Sequence, residues 1–349
     1  MSRVKVLIID DSPVAQYLLS RVITGDPRLE VAGIAGNADE ALRLISVLPP
    51  DVVSMDIRLP GQNGLDLTRR IMREHPLPIV VVASDLDDRS LDISMNALKA
   101  GALSVVEKPL SSTNADWPEL SQRLCSQLYI MSQVPVVQHR RFDTQQPVPG
   151  TGWGDDWSAV VMGASTGGPS ALAQVLGALP GDFPLPLALV QHMGASFMEG
   201  FVAWLSSVSA LPVGLAGDGG AFLPGHVAVA PAGVHIRIQG GRLCFDHGEL
   251  VHGQRPSADI LLASAAAAFG SRAIGVLLTG MGEDGARGLA AIRGAGGYTI
   301  AEDASSAVVW GMPGTAVRLG AAVEVLAVNR IARRLVELAR GVVAGRREV

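Results

Sequence analysis

The chain has 349 residues, which at roughly 100 to 200 residues per domain predicts two domains. Hydrophobic residues make up 48% of it, aromatic residues only 4%, and there are 40 glycines, a composition typical of α/β domains with aliphatic strands and glycine-rich loops. The formal net charge of -5 argues against a nucleic-acid partner. No apolar run reaches the roughly 18 residues of a membrane span, so a cytoplasmic protein without membrane insertion is expected.

The first 110 residues alternate short apolar strands with amphipathic helices. Five strands are predicted, at residues 4–9, 29–35, 52–55, 79–83 and 104–106. A helix over about 118–131 follows them. This alternation predicts a doubly wound parallel sheet.

Acidic side chains follow two of these strands. Asp10 and Asp11 come directly after the first strand, and Asp56 comes directly after the third. Because the carboxyl ends of parallel strands meet at one edge of the sheet, the three carboxylates are expected to converge. Oxygen ligands of this kind suit Mg²⁺, and Lys108 after the fifth strand can neutralise a phosphoryl group. Helix caps or solvated loop charges are the alternative interpretation for any pair of them.

Residues 132–157 lose the apolar periodicity and are rich in Gln, Pro and Gly, as in a linker. The predicted division is therefore a first domain at 1–128, a linker at 129–157 and a second domain at 158–349. Strands of a second α/β unit are predicted near 159–163, 187–191, 227–231, 273–279 and 299–302.

In the second unit a serine and a histidine each follow an apolar strand. Ser165 lies in the pattern Gly163-x-Ser165-x-Gly167, which allows a sharp turn between strand and helix and leaves the hydroxyl exposed. Such a turn also directs backbone amides towards a developing oxyanion. His192 follows the next strand, so the pair is interpreted as nucleophile and base. The alternative is a glycine-rich turn that binds phosphate or only reverses the chain.

A third residue is needed to orient His192 and to stabilise its charged form. Four acids are candidates: Asp284, Asp303, Asp218 and Asp259. The glycine-rich strand end at 280–285 favours Asp284 over Asp303 without excluding it. The order Ser, His, Asp differs from that of the α/β-hydrolases. Six further histidines are expected at the surface or in loops: His75, His139, His226, His235, His247 and His252.

The first unit resembles the receiver domain of two-component response regulators over residues 3–128. The residues that carry the resemblance are Asp10-Asp11, Asp56 with Leu59-Pro60 and Gly64, and Lys108-Pro109. The resemblance implies that Asp56 accepts a phosphoryl group from a partner histidine kinase. It also implies that Asp11, Asp56 and the Arg58 carbonyl hold Mg²⁺, with Asp10 assisting. One departure is Ala83, where the family places Thr or Ser, with Ser84 next to it.

The second unit resembles the chemotaxis protein-glutamate methylesterases over residues 158–340. The motifs are Gly163-Ala-Ser-Thr-Gly-Gly-Pro169, Val190-Gln-His-Met193, Pro224-Gly225-His226, Arg255-Pro-Ser257, Leu278-Thr-Gly-Met-Gly282 with Asp284-Gly285, and Gly311-Met-Pro313. A receiver domain in front of the catalytic domain is also that family's arrangement. The resemblance implies two doubly wound parallel-sheet domains, a flavodoxin-like receiver and a Rossmann-like methylesterase.

The resemblance also implies the reaction. Ser165 would attack a glutamate γ-methyl ester on the cytoplasmic helices of a methyl-accepting chemoreceptor and release methanol, with His192 as base and acid and Asp284 as its orienter. Thr166 and Met281 would contribute to the oxyanion and substrate pocket. Glutamine deamidation is expected by the same chemistry, and no cofactor is expected for the esterase. The segment 193–196 departs from the family's Met-Pro-Pro.

Regulation is expected because the receiver would cover the Ser165 cleft until Asp56 is phosphorylated. Two other functions remain open. A non-catalytic regulator would release no methanol from methylated receptor, and a small-molecule esterase would cleave simple esters efficiently.

Overall fold

A computed structural model describes residues 3–59, 64–83, 96–98, 100–109, 117–134 and 153–341. The chain divides into two compact units, Met1–Phe142 and Asp143–Val349. This division falls inside the predicted linker, whose residues 135–152 lie outside the described ones, as does Ser84. The domain boundaries predicted from the sequence therefore stay predictions.

The first unit contains one parallel five-stranded sheet. Its strands are β1 (Val4–Ile9), β2 (Leu29–Ala35), β3 (Val52–Met55), β4 (Ile79–Ala83) and β5 (Ser104–Glu107), in the order β2-β1-β3-β4-β5. Four described helices accompany it: α1 (Pro13–Gly25), α2 (Ala38–Val47), α3 (Gly64–Glu74) and α4 (Trp117–Met131). The sheet is the doubly wound architecture that the sequence predicts.

Local signals explain where the first helices begin. Ser12 precedes α1 and its hydroxyl accepts the Ala15 amide, while Pro13 stands where a missing amide proton costs nothing. Asn37 caps α2 in the same manner, accepting the Glu40 amide at 3.0 Å. The interior strand β1 is apolar and buried from Val6 to Ile9 because helices cover both sides of a parallel sheet.

The second unit is built on a parallel sheet of seven strands. In chain order these are β6 (Ala159–Ala164), β7 (Leu187–Gln191), β8 (Val213–Leu215), β10 (Val227–Val229), β13 (Ala273–Leu277), β14 (Tyr298–Glu302) and β15 (Glu324–Leu326). Their spatial order is β15-β14-β13-β6-β7-β10-β8. The helices are α5 (Gly168–Ala178), α6 (Ala195–Val208), α7 (Ala258–Phe269), α8 (Ala286–Gly294), α9 (Met312–Arg318) and α10 (Val328–Ala339).

A small antiparallel sheet of three strands, absent from the sequence prediction, joins this unit. Its members are β9 (Gly220–Ala221), β11 (His235–Gln239) and β12 (Arg242–Asp246). Gly240 and Gly241 connect β11 to β12 with φ values of 55° and 73°. A Gly-Gly pair between two strands is a hairpin signal that could have been recognised. The edge strands β8 and β15 were also missed.

The segment before β6 packs on the second unit. Trp157 is 6% exposed and stacks edge-on against Tyr298, with ring centroids 5.9 Å apart. Trp153 contacts Phe183 in the same geometry, and the Gly154 amide donates to the Ala339 carbonyl at 2.7 Å. These residues lie in the range predicted as linker. No described helix has the length and apolarity to cross a membrane.

Candidate active site

Ser165 occupies a turn between β6 and α5 that depends on glycine. Gly167 has a φ of 78°, in the left-handed region, and a Cβ at this position would lie 2.5 Å from the Cβ of Val308. The Ser165 amide donates to the Thr279 carbonyl at 3.0 Å, which fixes the turn against the neighbouring strand end. The sharp turn predicted around Ser165 is therefore present.

Gly280 provides room beside the serine. A Cβ at Gly280 would lie 2.7 Å from the Ser165 Cβ and 3.2 Å from the Ser165 amide nitrogen. The first distance is shorter than real Cβ contacts and the second is unusually tight, so a side chain at position 280 would displace the serine. The loop after β13 is thus shaped around Ser165.

His192 follows the adjacent strand. Its amide donates to the Ala164 carbonyl at 3.1 Å, because β6 and β7 pair in parallel up to Ala164 and Gln191. Gln191 is 1% exposed, and its Nε2 donates to the carbonyls of Ser165 at 2.8 Å and His192 at 3.0 Å. The Gln191 amide therefore ties the two strand ends together. Sequence reasoning missed this residue, although a buried glutamine before the histidine was a visible signal.

Asp284 is the acid that contacts the histidine. Its Oδ2 lies 2.8 Å from His192 Nε2. The other three candidates have different partners: Asp303 accepts from Ser305, Asp218 from the Phe245 amide, and Asp259 pairs with His252. Spacing alone had left Asp303 open, and the structure brings Asp284 to His192.

The Asp284 carboxylate is 2% exposed and receives three further hydrogen bonds. They come from Ser257 Oγ at 2.6 Å, the Ala258 amide at 2.7 Å and the Asp259 amide at 3.1 Å. Burial by itself raises the pKa of Asp284, but the hydrogen bond and charge of His192 and the bonds from Ser257 and Ala258 outweigh it. The net effect lowers the pKa of Asp284 below its usual value, so the carboxylate stays ionised.

The remaining ring nitrogen faces no competing partner. Among the described residues, neither His192 Nδ1 nor Ser165 Oγ takes part in a hydrogen bond. Because Nε2 is bound to Asp284, Nδ1 is the nitrogen that can receive a proton from the serine. Hydrogen bonds of this kind are often unformed in an enzyme without substrate and close when substrate binds.

The two residues expected in the substrate pocket differ in exposure. Thr166 is buried, and its carbonyl accepts the Thr279 hydroxyl at 2.9 Å. Met281 is 49% exposed and follows Gly280. Gly280 forms an isolated parallel β-bridge with Trp310, which is 37% exposed. Met281 and Trp310 therefore leave apolar surface next to the glycine that contacts Ser165.

One expectation about the histidines needs correction. His235 is not at the surface: it is 1% exposed, and its Nδ1 accepts the Ser257 amide at 3.0 Å. In the Arg255-Pro256-Ser257 motif it is Ser257 that reaches the site, whereas Arg255 is exposed and donates to the Gly248 carbonyl at 3.0 Å. A serine that precedes a helix is usually interpreted as its cap, which is why its contact with Asp284 was not foreseen.

In the first unit, three buried charged groups meet at the sheet edge. Lys108 Nζ lies 2.7 Å from Asp10 Oδ2 and 3.0 Å from Asp56 Oδ2. Burial raises the pKa of Asp56, Lys108 opposes that effect, and the negative charge of Asp10 adds to it; the net pKa shift is upward. Asp56 is therefore a carboxylate whose charge is only partly compensated.

The acidic groups here fit a divalent cation. Carboxylate oxygens of Asp10, Asp11 and Asp56 all lie within 4.8 Å of one another, and oxygen donors are those that Mg²⁺ prefers. Arg58 follows Asp56 by two residues, and its side chain is exposed. At the end of β4, Ala83 is 3% exposed, and its carbonyl accepts the Lys108 amide at 2.8 Å. Ala83 offers no hydroxyl at this position.

The second unit thus presents a serine, a histidine and a buried carboxylate on the carboxyl edge of a parallel sheet. This arrangement is typical of the serine hydrolases, although the order of the three residues along the chain, Ser, His, Asp, differs from that of the α/β-hydrolases. The first unit has the acidic sheet edge of a phosphoryl-accepting regulator.

Comparison with known proteins agrees with both descriptions. Residues 160–335 match the CheB methylesterase family, and residues 6–115 match the response regulator receiver domain. The chain therefore belongs to the CheB methylesterase family. The resemblance and the fold class drawn from the sequence are confirmed, and the chain carries a receiver domain, a type of domain that typically uses Mg²⁺.

Relatives match over almost the whole chain. A protein-glutamate methylesterase/protein-glutamine glutaminase 2 of Paramagnetospirillum magneticum is 47% identical over 97% of this chain and 98% of its own length. A protein of the same description, numbered 4, from Geobacter metallireducens is 42% identical over 96% of this chain and 99% of its own. The crystal structure of the Thermotoga maritima CheB methylesterase catalytic domain is 39% identical, with a TM-score of 0.51 over 52% of this chain and 98% of that one.

Proposed function

We propose that this chain is a phosphorylation-activated protein-glutamate methylesterase. It hydrolyses glutamate γ-methyl esters on the cytoplasmic helices of methyl-accepting chemoreceptors. The observation that carries the proposal is the 2.8 Å contact between His192 Nε2 and the buried Asp284, with Ser165 on the adjacent strand end. The descriptions of the relatives support this substrate class.

Acylation begins when Ser165 Oγ attacks the carbonyl carbon of the ester. His192 Nδ1 takes the serine proton, and Asp284 stabilises the imidazolium that forms. The tetrahedral intermediate then collapses: the bond to the methoxy oxygen breaks, His192 returns the proton, and methanol leaves. The product is an ester between Ser165 and the receptor's glutamate side chain.

Deacylation repeats the sequence with water as the nucleophile. His192 takes a proton from water, the serine ester breaks, and the proton returns to Ser165 Oγ as the free glutamate forms. A glutamine side chain follows the same route with ammonia as the leaving group, which gives the deamidase activity. Thr166 contributes to the oxyanion site and Met281 to the apolar wall of the substrate pocket.

In the receiver, Asp56 accepts a phosphoryl group from a histidine kinase of the chemotaxis type. Asp11, Asp56 and the Arg58 carbonyl hold Mg²⁺, with Asp10 assisting, and the ion, when bound, offsets negative charge at the phosphoryl group. Lys108 contributes a fixed positive charge at the same place. Phosphorylation raises the esterase activity, which the receiver otherwise keeps low.

The test is methanol release from methylated receptor membranes, with and without acetyl phosphate. The wild type should release methanol and should do so faster with the phosphodonor. Ser165→Ala should abolish release, and Asp56→Asn should keep the basal rate but not respond. Methanol release that persists in a folded Ser165→Ala protein would refute the assignment.

Two rival outcomes are distinguishable in the same assay. If simple esters are cleaved efficiently and methylated receptor is not, the chain is a small-molecule esterase. If neither substrate is cleaved although the protein binds receptor, it is a non-catalytic regulator.

A further inference from the structure

Ser257 stands at the N-terminus of α7 but does not cap it. It is fully buried, and its side chain makes no capping hydrogen bond to its own helix. Instead, its hydroxyl donates to Asp284 Oδ1 at 2.6 Å. A serine in this position normally accepts a helix amide, so the hydroxyl has been redirected to a residue 27 positions away.

The carboxylate of Asp284 takes over the capping role. It accepts the Ala258 amide at 2.7 Å through Oδ2 and the Asp259 amide at 3.1 Å through Oδ1. These amides belong to the first turn of α7, where the helix leaves its donors unsatisfied. The two amides and the Ser257 hydroxyl therefore hold the carboxylate, whose Oδ2 also contacts His192.

His235 fixes the place from which Ser257 donates. The Ser257 amide donates to His235 Nδ1 at 3.0 Å, and His235 Nε2 lies 2.9 Å from the Glu249 carbonyl. Since Nδ1 accepts a hydrogen bond, Nε2 carries the proton and donates to the Glu249 carbonyl. Both ring nitrogens of this buried residue are thus occupied, and Ser257 is anchored through its backbone as well as its side chain.

We propose that Ser257 is a positioning residue for the His192–Asp284 pair, an inference that rests on the proposed function. Its bond to Oδ1 sets the rotation of the carboxylate plane, which keeps Oδ2 directed at His192 Nε2. Without the hydroxyl, one weaker bond from the Asp259 amide remains on Oδ1. The imidazole would then be oriented by a less constrained carboxylate.

Replacement of the hydroxyl should lower the catalytic rate and leave substrate binding intact. For Ser257→Ala we expect kcat to fall roughly tenfold, the scale of one charge-assisted hydrogen bond, with KM changed less than twofold. The titratable groups near the Asp284 carboxylate are His192, Asp259 and His252, and His252 in turn pairs with Glu283. With Ser257 gone, the pKa of Asp284 moves up, so the rate relative to wild type should fall further as the pH decreases.

Ser264→Ala is the matched control. Ser264 is a buried serine on the same helix, and its hydroxyl donates to the Leu261 carbonyl and accepts the Ile238 amide, away from Asp284. This variant also removes a buried, hydrogen-bonded hydroxyl, so it should lower thermal stability and keep kcat within twofold of wild type. Both variants are assayed in the full chain by methanol release.

A double-mutant cycle shows whether Ser257 acts through Asp284. In an Asp284→Asn background, Ser257→Ala should cost little further rate, because the carboxylate that it orients is already absent. Wild-type kcat for Ser257→Ala, fully additive losses, or an equal loss in Ser264→Ala would each overturn the inference. If Ser257→Ala does not fold, Ser257→Cys replaces it, and wild-type kcat for that weaker donor would overturn the inference equally.

The proposed function can fail separately. If Ser165→Ala or Asp284→Asn retains wild-type methanol release, the active-site assignment itself is wrong. If both abolish release while Ser257→Ala does not affect kcat, only the role of Ser257 is refuted.

Discussion

Asp284 is the residue on which the candidate site depends most directly, because it alone among the four candidate acids reaches His192. Asp284→Asn should lower kcat by about 10⁴-fold and retain the fold, since the amide favours the wrong histidine tautomer. Asp303→Asn is the control, because Asp303 is half-buried, is bonded to Ser305 and does not contact His192. The measurement is methanol release at saturating receptor. If Asp303→Asn lost methanol release and Asp284→Asn retained it, the assignment would be reversed.

We expect Ala83 to limit how strongly the receiver responds to phosphorylation. A hydroxyl at this strand end would donate to a phosphoryl oxygen on Asp56, and a charge-assisted bond of that kind contributes roughly 1.5 to 3 kcal/mol. Ala83→Thr should therefore raise the ratio of methanol release with and without acetyl phosphate severalfold. Ser84→Ala is the companion variant. If it abolishes activation while Ala83→Thr changes nothing, Ser84 already supplies the hydroxyl.

Asp56 makes the stability of the receiver depend on pH. Because its pKa in the folded protein is raised above the usual 3.8, the folded state is favoured below that value and loses stability as the pH rises through the folded pKa. Asp56→Asn removes this loss. The unfolding temperature of the receiver domain, measured in EDTA, should therefore rise by about 2 to 6 °C at pH 7 and by much less at pH 4.

Scanning calorimetry of the full chain measures this effect. Asp66→Asn is the control, because Asp66 lies on α3 in an exposed ion pair with Arg69 and should shift the transition little. A lower transition for Asp56→Asn at pH 7 would mean that the attraction of Lys108 for Asp56 exceeds the cost of burial.

At the level of elements, the segment in front of β6 is part of the catalytic unit. A fragment that starts at residue 158 lacks the contacts of Trp153 with Phe183 and of Trp157 with Tyr298, whereas one that starts at residue 150 keeps them. Loss of a buried tryptophan costs about 3 to 5 kcal/mol, so the shorter fragment should unfold at clearly lower temperature. Equal unfolding temperatures would show that this packing contributes nothing.

Sequence reasoning predicted the strands of the two parallel sheets except the edge strands β8 and β15, and it missed the three strands of the antiparallel sheet. Strands such as β6 and β7 are continuous apolar runs, and this pattern is visible in the local sequence without any information about the neighbouring strands. The positions of Ser165 and His192 followed from the ends of those runs. The contact between Ser257 and Asp284 could not be predicted, because it joins two loops whose proximity is set by tertiary packing and not by any local pattern.

At the scale of the whole molecule, two units with separate cores imply separable activities. We expect the fragment starting at residue 150 to release methanol without any phosphodonor, at or above the rate of the phosphorylated full chain. The physical reason is that a complete seven-stranded catalytic sheet needs no strand from the receiver. The measurement compares both proteins at equal concentration, and a folded but inactive fragment would mean that the receiver helps to form the site.

The cap of α7 makes the catalytic carboxylate depend on the folding of a later part of the chain. The first turn of this helix is completed by a carboxylate from a loop that emerges later during synthesis. Until that loop arrives, the helix has no terminal acceptor and the imidazole has no anion beside it. Docking of this one loop therefore completes two features at once, the first turn of α7 and the carboxylate beside His192.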